Sequence, residues 1–325
     1  MRGVVLVSTG SYLPQRTIHN EALDQFPDEG RLLISQKTGV FSRRCAEEGQ
    51  CTSDLAVVAA RNCLEKANIP ASAVQAIVVS TSSPDRMQPA TATRVQHLLG
   101  AENAFAFDIN SVCSGSTFGI ALCSSLIQSE TSQNVLFVAA EVYSRILNKQ
   151  DFSTFPYFGD GAGAIFFQAD NYKQGVLHSL LKTDGSGRDV ICVPAGGTML
   201  PFEKMSNIRQ AHFKMKGKVV FEFAVEKGTE IICQLLHETG EKPENIRCFI
   251  CHQANVNIIL KIAENLGVDE EKFYMNLFRY GNTASASVPI ALDEAIGRNL
   301  IGRGDLVVTA AFGGGLSWGA NLIRL

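Results

Sequence analysis

Short runs of β-branched and apolar residues alternate along this chain with longer segments whose apolar residues recur every three or four positions. That alternation restricts the chain to an α/β architecture built from crossover units. The strand-like runs are 3–7, 76–80, 104–109, 135–139, 164–167, 176–181, 248–251 and 306–310. Helical spacing covers 54–67, 93–99, 116–128, 219–236, 257–266 and 287–299. Strand, helix, strand and a glycine-punctuated element occur once before about residue 170 and again after it. This predicts two related halves, 1–170 and 171–325, packed face to face. No linker rich in Pro, Ser or Gly separates them, so a shared core is expected. The irregular stretch 184–210 reads as a long surface loop.

Composition removes several classes of function. With 46% hydrophobic and 19% charged residues in 325, the chain has apolar material for one large core or two fused ones. The apolar run at its start is too short for a signal peptide, and no later run is long enough to span a bilayer, so neither export nor membrane insertion is expected. Nine cysteines, an odd number scattered through apolar segments, argue for a reducing, cytoplasmic setting over a disulfide framework. A net charge of -3 supplies no basic field for a polyphosphate backbone, so nucleic acid is not an expected partner.

Three places carry candidate chemistry. In Phe107-Asp-Ile-Asn-Ser-Val-Cys113-Ser-Gly-Ser a buried strand turns tightly into an apolar helix, which sets Cys113 at the helix N-terminus. Orphan amides and the macrodipole there are expected to lower the thiol pKa and to supply donors for an oxyanion. His252 stands where the strand of Arg247-Cys-Phe-Ile-Cys-His-Gln-Ala-Asn255 gives way to a helix, a frequent place for active-site groups in α/β folds. Asn282 lies among small residues in Arg279-Tyr-Gly-Asn-Thr-Ala-Ser-Ala-Ser-Val-Pro289. Taken singly, these are better read as a packed cysteine, a satisfied histidine and a helix cap. Phe312-Gly-Gly-Gly-Leu-Ser-Trp-Gly319 follows the last expected strand, and its glycines let backbone amides approach a ligand.

In combination these segments resemble the β-ketoacyl-acyl-carrier-protein synthase III family over essentially the whole chain. The matching segments are the Cys113 elbow, Phe158-Gly-Asp-Gly-Ala-Gly-Ala164, His252-Gln-Ala-Asn255, Gly281-Asn-Thr283 and Phe312-Gly-Gly-Gly315. The resemblance implies an α/β, thiolase-like five-layered αβαβα fold made of two related halves, assembled as a homodimer. It implies that Cys113 takes an acyl group as a thioester, with the Cys113 and Gly314 amides as oxyanion hole. His252 and Asn282 would hold the malonyl thioester oxygen through decarboxylation and condensation, as in fatty-acid initiation or secondary-metabolite synthesis. No cofactor is implied; the substrates are coenzyme A or acyl-carrier-protein thioesters. Met87, Gln88 and Phe312 fall where the family lines its substrate pocket, Met87 and Gln88 reaching across the dimer. A flexible Met87 there suggests medium-length acyl groups. A second catalytic cysteine, as in classical thiolases, and a second histidine, as in elongating ketosynthases, are replaced here by Ala311 or Phe312 and by Asn282. A non-decarboxylating acyltransferase on the same scaffold is the alternative.

The chain departs from the family at the coenzyme A groove. Leu33 and Lys37 stand where a Trp and an Arg are expected, Asn257 stands for another Arg, and 152–155 lacks a third. Lysine cannot reproduce a stacked, bidentate guanidinium. This points to a specialised paralogue fed by a carrier protein, for which Lys214, Lys216 and Arg209, with Lys204 and Lys218, form the basic cluster; the default reading of that cluster is a solvated loop. Cys248-Phe-Ile-Cys251-His252 matches a haem-attachment pattern, but residues three apart on a strand face opposite ways. Gly159-Asp-Gly-Ala-Gly163 precedes a strand instead of opening a helix, so it reads as a turn and not a phosphate loop. The cysteines in helical apolar patterns are expected in the core.

Overall fold

The computed structural model describes residues 2–170 and 174–325. In chain order the elements are β1 (Gly3–Tyr12), β2 (Thr17–His19), α1 (Asp28–Thr38), β3 (Ser42–Arg44), α2 (Thr52–Lys66), β4 (Ala76–Ser80), α3 (Thr91–Leu99), β5 (Phe105–Ile109), α4 (Gly115–Gln128), β6 (Asn134–Glu141) and β7 (Gly161–Asp170). There follow β8 (Gly175–Thr183), β9 (Ile191–Cys192), β10 (Lys214–Met215), α5 (Gly217–Thr239), β11 (Ile246–Cys251), α6 (Val256–Leu266), α7 (Leu277–Tyr280), α8 (Ser287–Gly297), β12 (Leu306–Gly313) and β13 (Ser317–Arg324).

The long strands run in the order β11-β12-β13-β8-β1-β7-β6-β4-β5. Between β8 and β1 the ladder is one parallel pair, Val4 with Gly175, so this is two sheets touching at a seam. The seam requires glycine: Gly175 has φ +81 and a Cβ there would run into the Val4 carbonyl. The two sheets repeat one another. β1 with β7 and β7 with β6 are antiparallel and β6 with β4 is parallel; β8 with β13, β13 with β12 and β12 with β11 follow the same sequence. Even β5 beside β4 has its echo, a single parallel bridge of Phe273 to Phe249 in β11. The boundary placed between residues 170 and 171 adjoins 171–173, which lie outside the described residues.

Helices complete five layers. α2 and α3 pack outside the first sheet, α5 and α6 outside the second, and α4 and α8 lie between them. A helix between two sheets must be apolar all round, and α4 buries Ile120, Cys123 and Ile127, with Gly119 against the Phe137 ring. The expected αβαβα arrangement is therefore present. No helix among the described residues is long and apolar enough to cross a membrane.

Each expected strand and helix exists, β4 to the residue, but the structure corrects the reading in four places. Phe312–Gly319 does not lie after the last strand: β12 runs to Gly313 and β13 starts at Ser317, with a turn between. β13 is buried along nearly its whole length, which removes the polar alternation that marks a half-exposed strand. The stretch 184–210 is not one free loop, since Ile191–Cys192 pairs with Lys214–Met215 and the Ala195 amide donates to the Gln210 carbonyl at 2.9 Å. Helix α1 was not expected because it buries only Ile34 and Thr38, too few apolar positions for a periodic signal. Finally, Cys63 and Cys123 are core residues as expected, whereas Cys233, on the helical pattern of α5, is exposed.

Candidate active site

The C-terminal ends of β5 and β11, the equivalent of β4 in the other half, bring the first two candidate groups inward. After β5 the chain makes a turn over Val112–Ser114, with Val112 at φ +48, and enters α4 at Gly115. A β-branched residue in the left-handed region is strained, and such strain collects at functional turns. Cys113, on that turn, is only 5% exposed. The turn is tied to the β12–β13 connection: Ser114 Oγ and Ser317 Oγ are 2.7 Å apart, and Ser317 Oγ donates to the Gly314 carbonyl at 2.7 Å. Gly313 comes so close that a Cβ on it would lie 2.8 Å from the Cys113 nitrogen, so only glycine fits.

The expected low thiol pKa does not survive. Burial first, and then the nearby Glu141 carboxyl, push the Cys113 thiol well above its ordinary value, against the pull of its own backbone N–H. The helix N-terminus is a local stabiliser of the thiolate; removal from water and the Glu141 carboxyl act against the same charge. Alkylation of Cys113 by iodoacetamide should therefore keep rising with pH, roughly tenfold per unit, to about pH 9. A plateau near neutral pH in the rate profile would contradict this.

His252 follows β11, and its amide donates to the Ala310 carbonyl of β12 at 2.8 Å. The ring is 2% exposed, its Nδ1 lies 2.7 Å from Ser287 Oγ, and it makes a T-shaped contact with Phe312 at 5.7 Å between centroids. Burial pushes its pKa down to about 3, so the imidazole is neutral at working pH. Ser287 Oγ also accepts from the Gln253 amide at 3.3 Å.

Asn282 is not a helix cap. Its backbone is clamped to the Gly159 turn, with its N–H on the Tyr157 carbonyl at 2.8 Å and its carbonyl accepting from the Gly159 amide at 3.0 Å. The Phe158–Gly163 segment is thus a bracket for Asn282, and Asp160, buried beside it, accepts from the Ala46 amide and from Ser144. The Asn282 side chain accepts from the Ala284 amide through Oδ1 at 2.8 Å. Among the described residues Nδ2 has no hydrogen-bond partner. The turn Ala284–Ala286 packs on the Cys113 turn, and Ala284 and Cys113 share one apolar cluster. The turn after Asn282 thus packs on the Cys113 turn, while His252 bonds Ser287 at the start of α8 and meets Phe312, whose neighbour Gly313 lies against the Cys113 backbone.

Two features of the site were not anticipated. Around Cys113 the rings of Tyr143, Phe158 and Phe213 are in mutual contact, with centroids 5.0 to 5.4 Å apart, and Leu147, Ile191 and Leu316 close the cluster. Glu141, the last residue of β6, is fully buried, and burial raises its pKa against six surrounding donor groups. A lone acid ending the apolar run 135–140 was the available signal.

The other candidates fall apart from this centre. Met87, 73% exposed, and Gln88 project from the loop before α3 and are not among the residues packed round Cys113 in their own chain. Phe312 belongs mainly to the outer core with α5 and α6 and reaches the site through His252. Lys204, Arg209, Lys214, Lys216 and Lys218 are all exposed. Leu33 is exposed on α1, and Asn257 donates to the Lys37 carbonyl at 2.8 Å, fastening that helix. Cys248 and Cys251 join different cores on opposite faces of β11 and cannot share one ligand.

Comparison with known proteins agrees with this geometry. Residues 107–185 match the family described as 3-oxoacyl-[acyl-carrier-protein (ACP)] synthase III, and residues 236–325 match its C-terminal counterpart. A β-ketoacyl-[acyl-carrier-protein] synthase III of Caldanaerobacter subterraneus subsp. tengcongensis is 40% identical over 320 residues, 98% of this chain and 97% of that protein. The protein of Streptomyces coelicolor called synthase III 3 is 42% identical over 322 residues, 98% and 96% of the two chains. Among solved structures, the synthase III of Aquifex aeolicus superposes with a TM-score of 0.90 at 36% identity, covering 99% of this chain and 100% of that one. The priming β-ketosynthase of a polyketide biosynthetic pathway superposes at 0.92 with 28% identity, covering 100% and 96%. The chain belongs to the 3-oxoacyl-[acyl-carrier-protein] synthase III family.

Proposed function

We propose that the protein is a β-ketoacyl synthase III-like condensing enzyme, an acyltransferase that loads an acyl group on Cys113 and extends it with a malonyl unit from a carrier protein. The observation that supports this reading is the packing of the Ala284–Ala286 turn, which fixes Asn282 Oδ1, on the turn of the buried Cys113, with a neutral His252 bonded to Ser287 just beyond it. Attack of the Cys113 sulfur on an acyl thioester expels the donor thiol, which leaves with the cysteine proton; the Cys113 and Gly314 amides hold the transient oxyanion. Loss of carbon dioxide from the malonyl thioester leaves its electron pair as an enolate. With Ser287 Oγ donating to His252 Nδ1, the tautomer this reading requires, the ring proton sits on Nε2. Nε2–H and Asn282 Nδ2–H are then two neutral donors for the enolate oxygen in a site with little water. The carbanion attacks the acyl carbonyl and the Cys113 thiolate departs. Acyl transfer without decarboxylation would give Nδ2 no task.

The chemistry requires no cofactor. Nine free cysteines suit the cytoplasm. A homodimer is favoured by β5, an edge strand with Phe105 43% exposed, and by Met87 and Gln88 standing ready to reach a partner. The aromatic cluster of Tyr143, Phe158 and Phe213 changes the expected primer: three rings packed beside Cys113 favour a short acyl group over a medium one.

The test mixes the enzyme with acetyl to decanoyl thioesters, each on coenzyme A and on carrier protein, and follows intact mass and carbon dioxide release. A short-chain adduct on Cys113, extended by malonyl-carrier protein, is expected; no adduct from any donor would end the reading. With Leu33, Lys37 and Asn257 unable to stack or clamp a nucleotide, acylation should be faster from the carrier. Lys214→Glu should slow that reaction by about fivefold at low salt and less at high salt, since contacts between charged patches act chiefly through screened steering. Equal losses with both donors would make the basic cluster a solvated surface.

A further inference from the structure

Glu141 poses a question that the condensing mechanism leaves open. A fully buried carboxylate costs several kcal/mol unless its lone pairs are satisfied, and no Lys or Arg pairs with this one among the described residues. Its Oε2 accepts from Ser83 Oγ at 2.6 Å, from the Ser82 and Ser83 amides at 3.1 Å, and from Thr81 Oγ1 at 3.3 Å. Its Oε1 accepts from Ser285 Oγ at 2.7 Å and from Ser82 Oγ at 3.1 Å. The direction of the Ser83 bond is set by its surroundings: the Val142 amide donates to Ser83 Oγ at 2.9 Å, so the hydroxyl proton is left for Glu141.

Ser285 connects this hub to the reaction. It sits in the turn Ala284–Ala286, between the carboxylate and the start of α4, where a Cβ on Gly115 would lie 3.5 Å from the Ser285 Cβ. Its neighbour Ala284 is held at φ +46, an unfavourable value for a residue with a Cβ, and the Ala284 amide fixes Asn282 Oδ1. An asparagine amide whose oxygen is fixed has its nitrogen fixed as well. We propose that Glu141 is a positioning residue: through the Ser285 hydroxyl it locks the Ala284 turn, and the locked turn aims Asn282 Nδ2 at the substrate oxygen. Glu141 itself touches no reacting atom. The proposal rests on the condensing reading for the task that Asn282 performs, but the aim of the amide is a property of the protein alone.

Acylation of Cys113 does not use Asn282, so the lock acts on one half-reaction. Ser285→Ala removes the 2.7 Å bond to Glu141 and a longer one, 3.3 Å, to the Ser80 carbonyl, and leaves Glu141 its other donors, which keeps the hub folded where Glu141→Gln is at risk of disrupting it. The expected result is a fall of about tenfold in kcat for malonyl decarboxylation, the size of one hydrogen bond to a charged group. KM for the malonyl thioester and the rate of Cys113 acylation should stay within twofold, and Ser285→Thr, which keeps the hydroxyl, should recover most of the loss. In protein labelled with [15N]asparagine, the side-chain amide pair of Asn282, identified by its absence in Asn282→Ala, should be sharp in the wild type and broadened or doubled in Ser285→Ala. An unchanged amide pair, or equal losses in both half-reactions, overturns the proposal. A wild-type protein that decarboxylates no malonyl thioester would remove the functional reading, while the amide pair would still decide the role of Glu141.

Discussion

Cys113→Ser is expected to lower acyl-enzyme formation by at least about a thousandfold, the scale on which a nucleophile matters when it acts with its site as a unit. Serine is nearly isosteric and fits the Val112–Ser114 turn, so the change tests chemistry and not folding. A hydroxyl needs a base to become a nucleophile at neutral pH, and the proposed mechanism leaves none for it: His252 Nδ1 is engaged by Ser287, and Nε2 keeps the ring proton for the enolate oxygen. Intact-mass spectrometry after mixing with acyl thioesters reads the result directly. A variant that still acquires an acyl group at the wild-type rate would show that another residue is the nucleophile. Decarboxylation of malonyl thioester should continue in this variant, because His252 and Asn282 are untouched.

The complementary result is expected at Asn282. Asn282→Ala should still acylate on Cys113 within a few-fold of the wild-type rate but lose decarboxylation by about a hundred- to a thousandfold, the cost of one donor missing from a preorganised oxyanion site. Because the alanine also frees the Ala284 amide, a second variant separates orientation from donation. Asn282→Asp keeps an oxygen for Ala284 but turns an anionic oxygen toward the developing enolate, so its loss should be at least as large. Near-normal carbon dioxide release in either variant would place the enolate elsewhere. A matching loss of acylation would mean that the turn had collapsed, which the melting temperature would reveal.

The parts of this protein that could be read along the chain are those set by neighbours a few residues away. β4 was legible to its end residues because four consecutive apolar, largely β-branched positions closed by Ser80 leave little choice. The Cys113 junction was legible because a strand, a turn and an apolar helix follow one another within 105–128. The opposite faces of Cys248 and Cys251 needed only the period of a strand, and the two now lie in separate cores. By contrast β13 escaped, because burial on both faces erases the alternation, and α1 escaped because its single buried apolar residue shows no period.

Charge state and aim were decided only in three dimensions. The helix N-terminus beside Cys113 is visible in sequence and argues for a thiolate; the burial and the Glu141 carboxyl that reverse the argument come from the packing of two sheets about α4. The same is true of His252, whose neutrality follows from removal from water, and of the aromatic cluster, which joins Tyr143, Phe158 and Phe213 from three separate segments. Glu141 and Ser285 are 144 positions apart. Local pattern therefore determined the elements, their order and the residues able to react, because torsional preference and side-chain period act over a few bonds. The protonation of those residues and the direction in which Asn282 points belonged to the tertiary structure, because desolvation and hydrogen-bond partners are supplied by whatever the folded chain brings into contact.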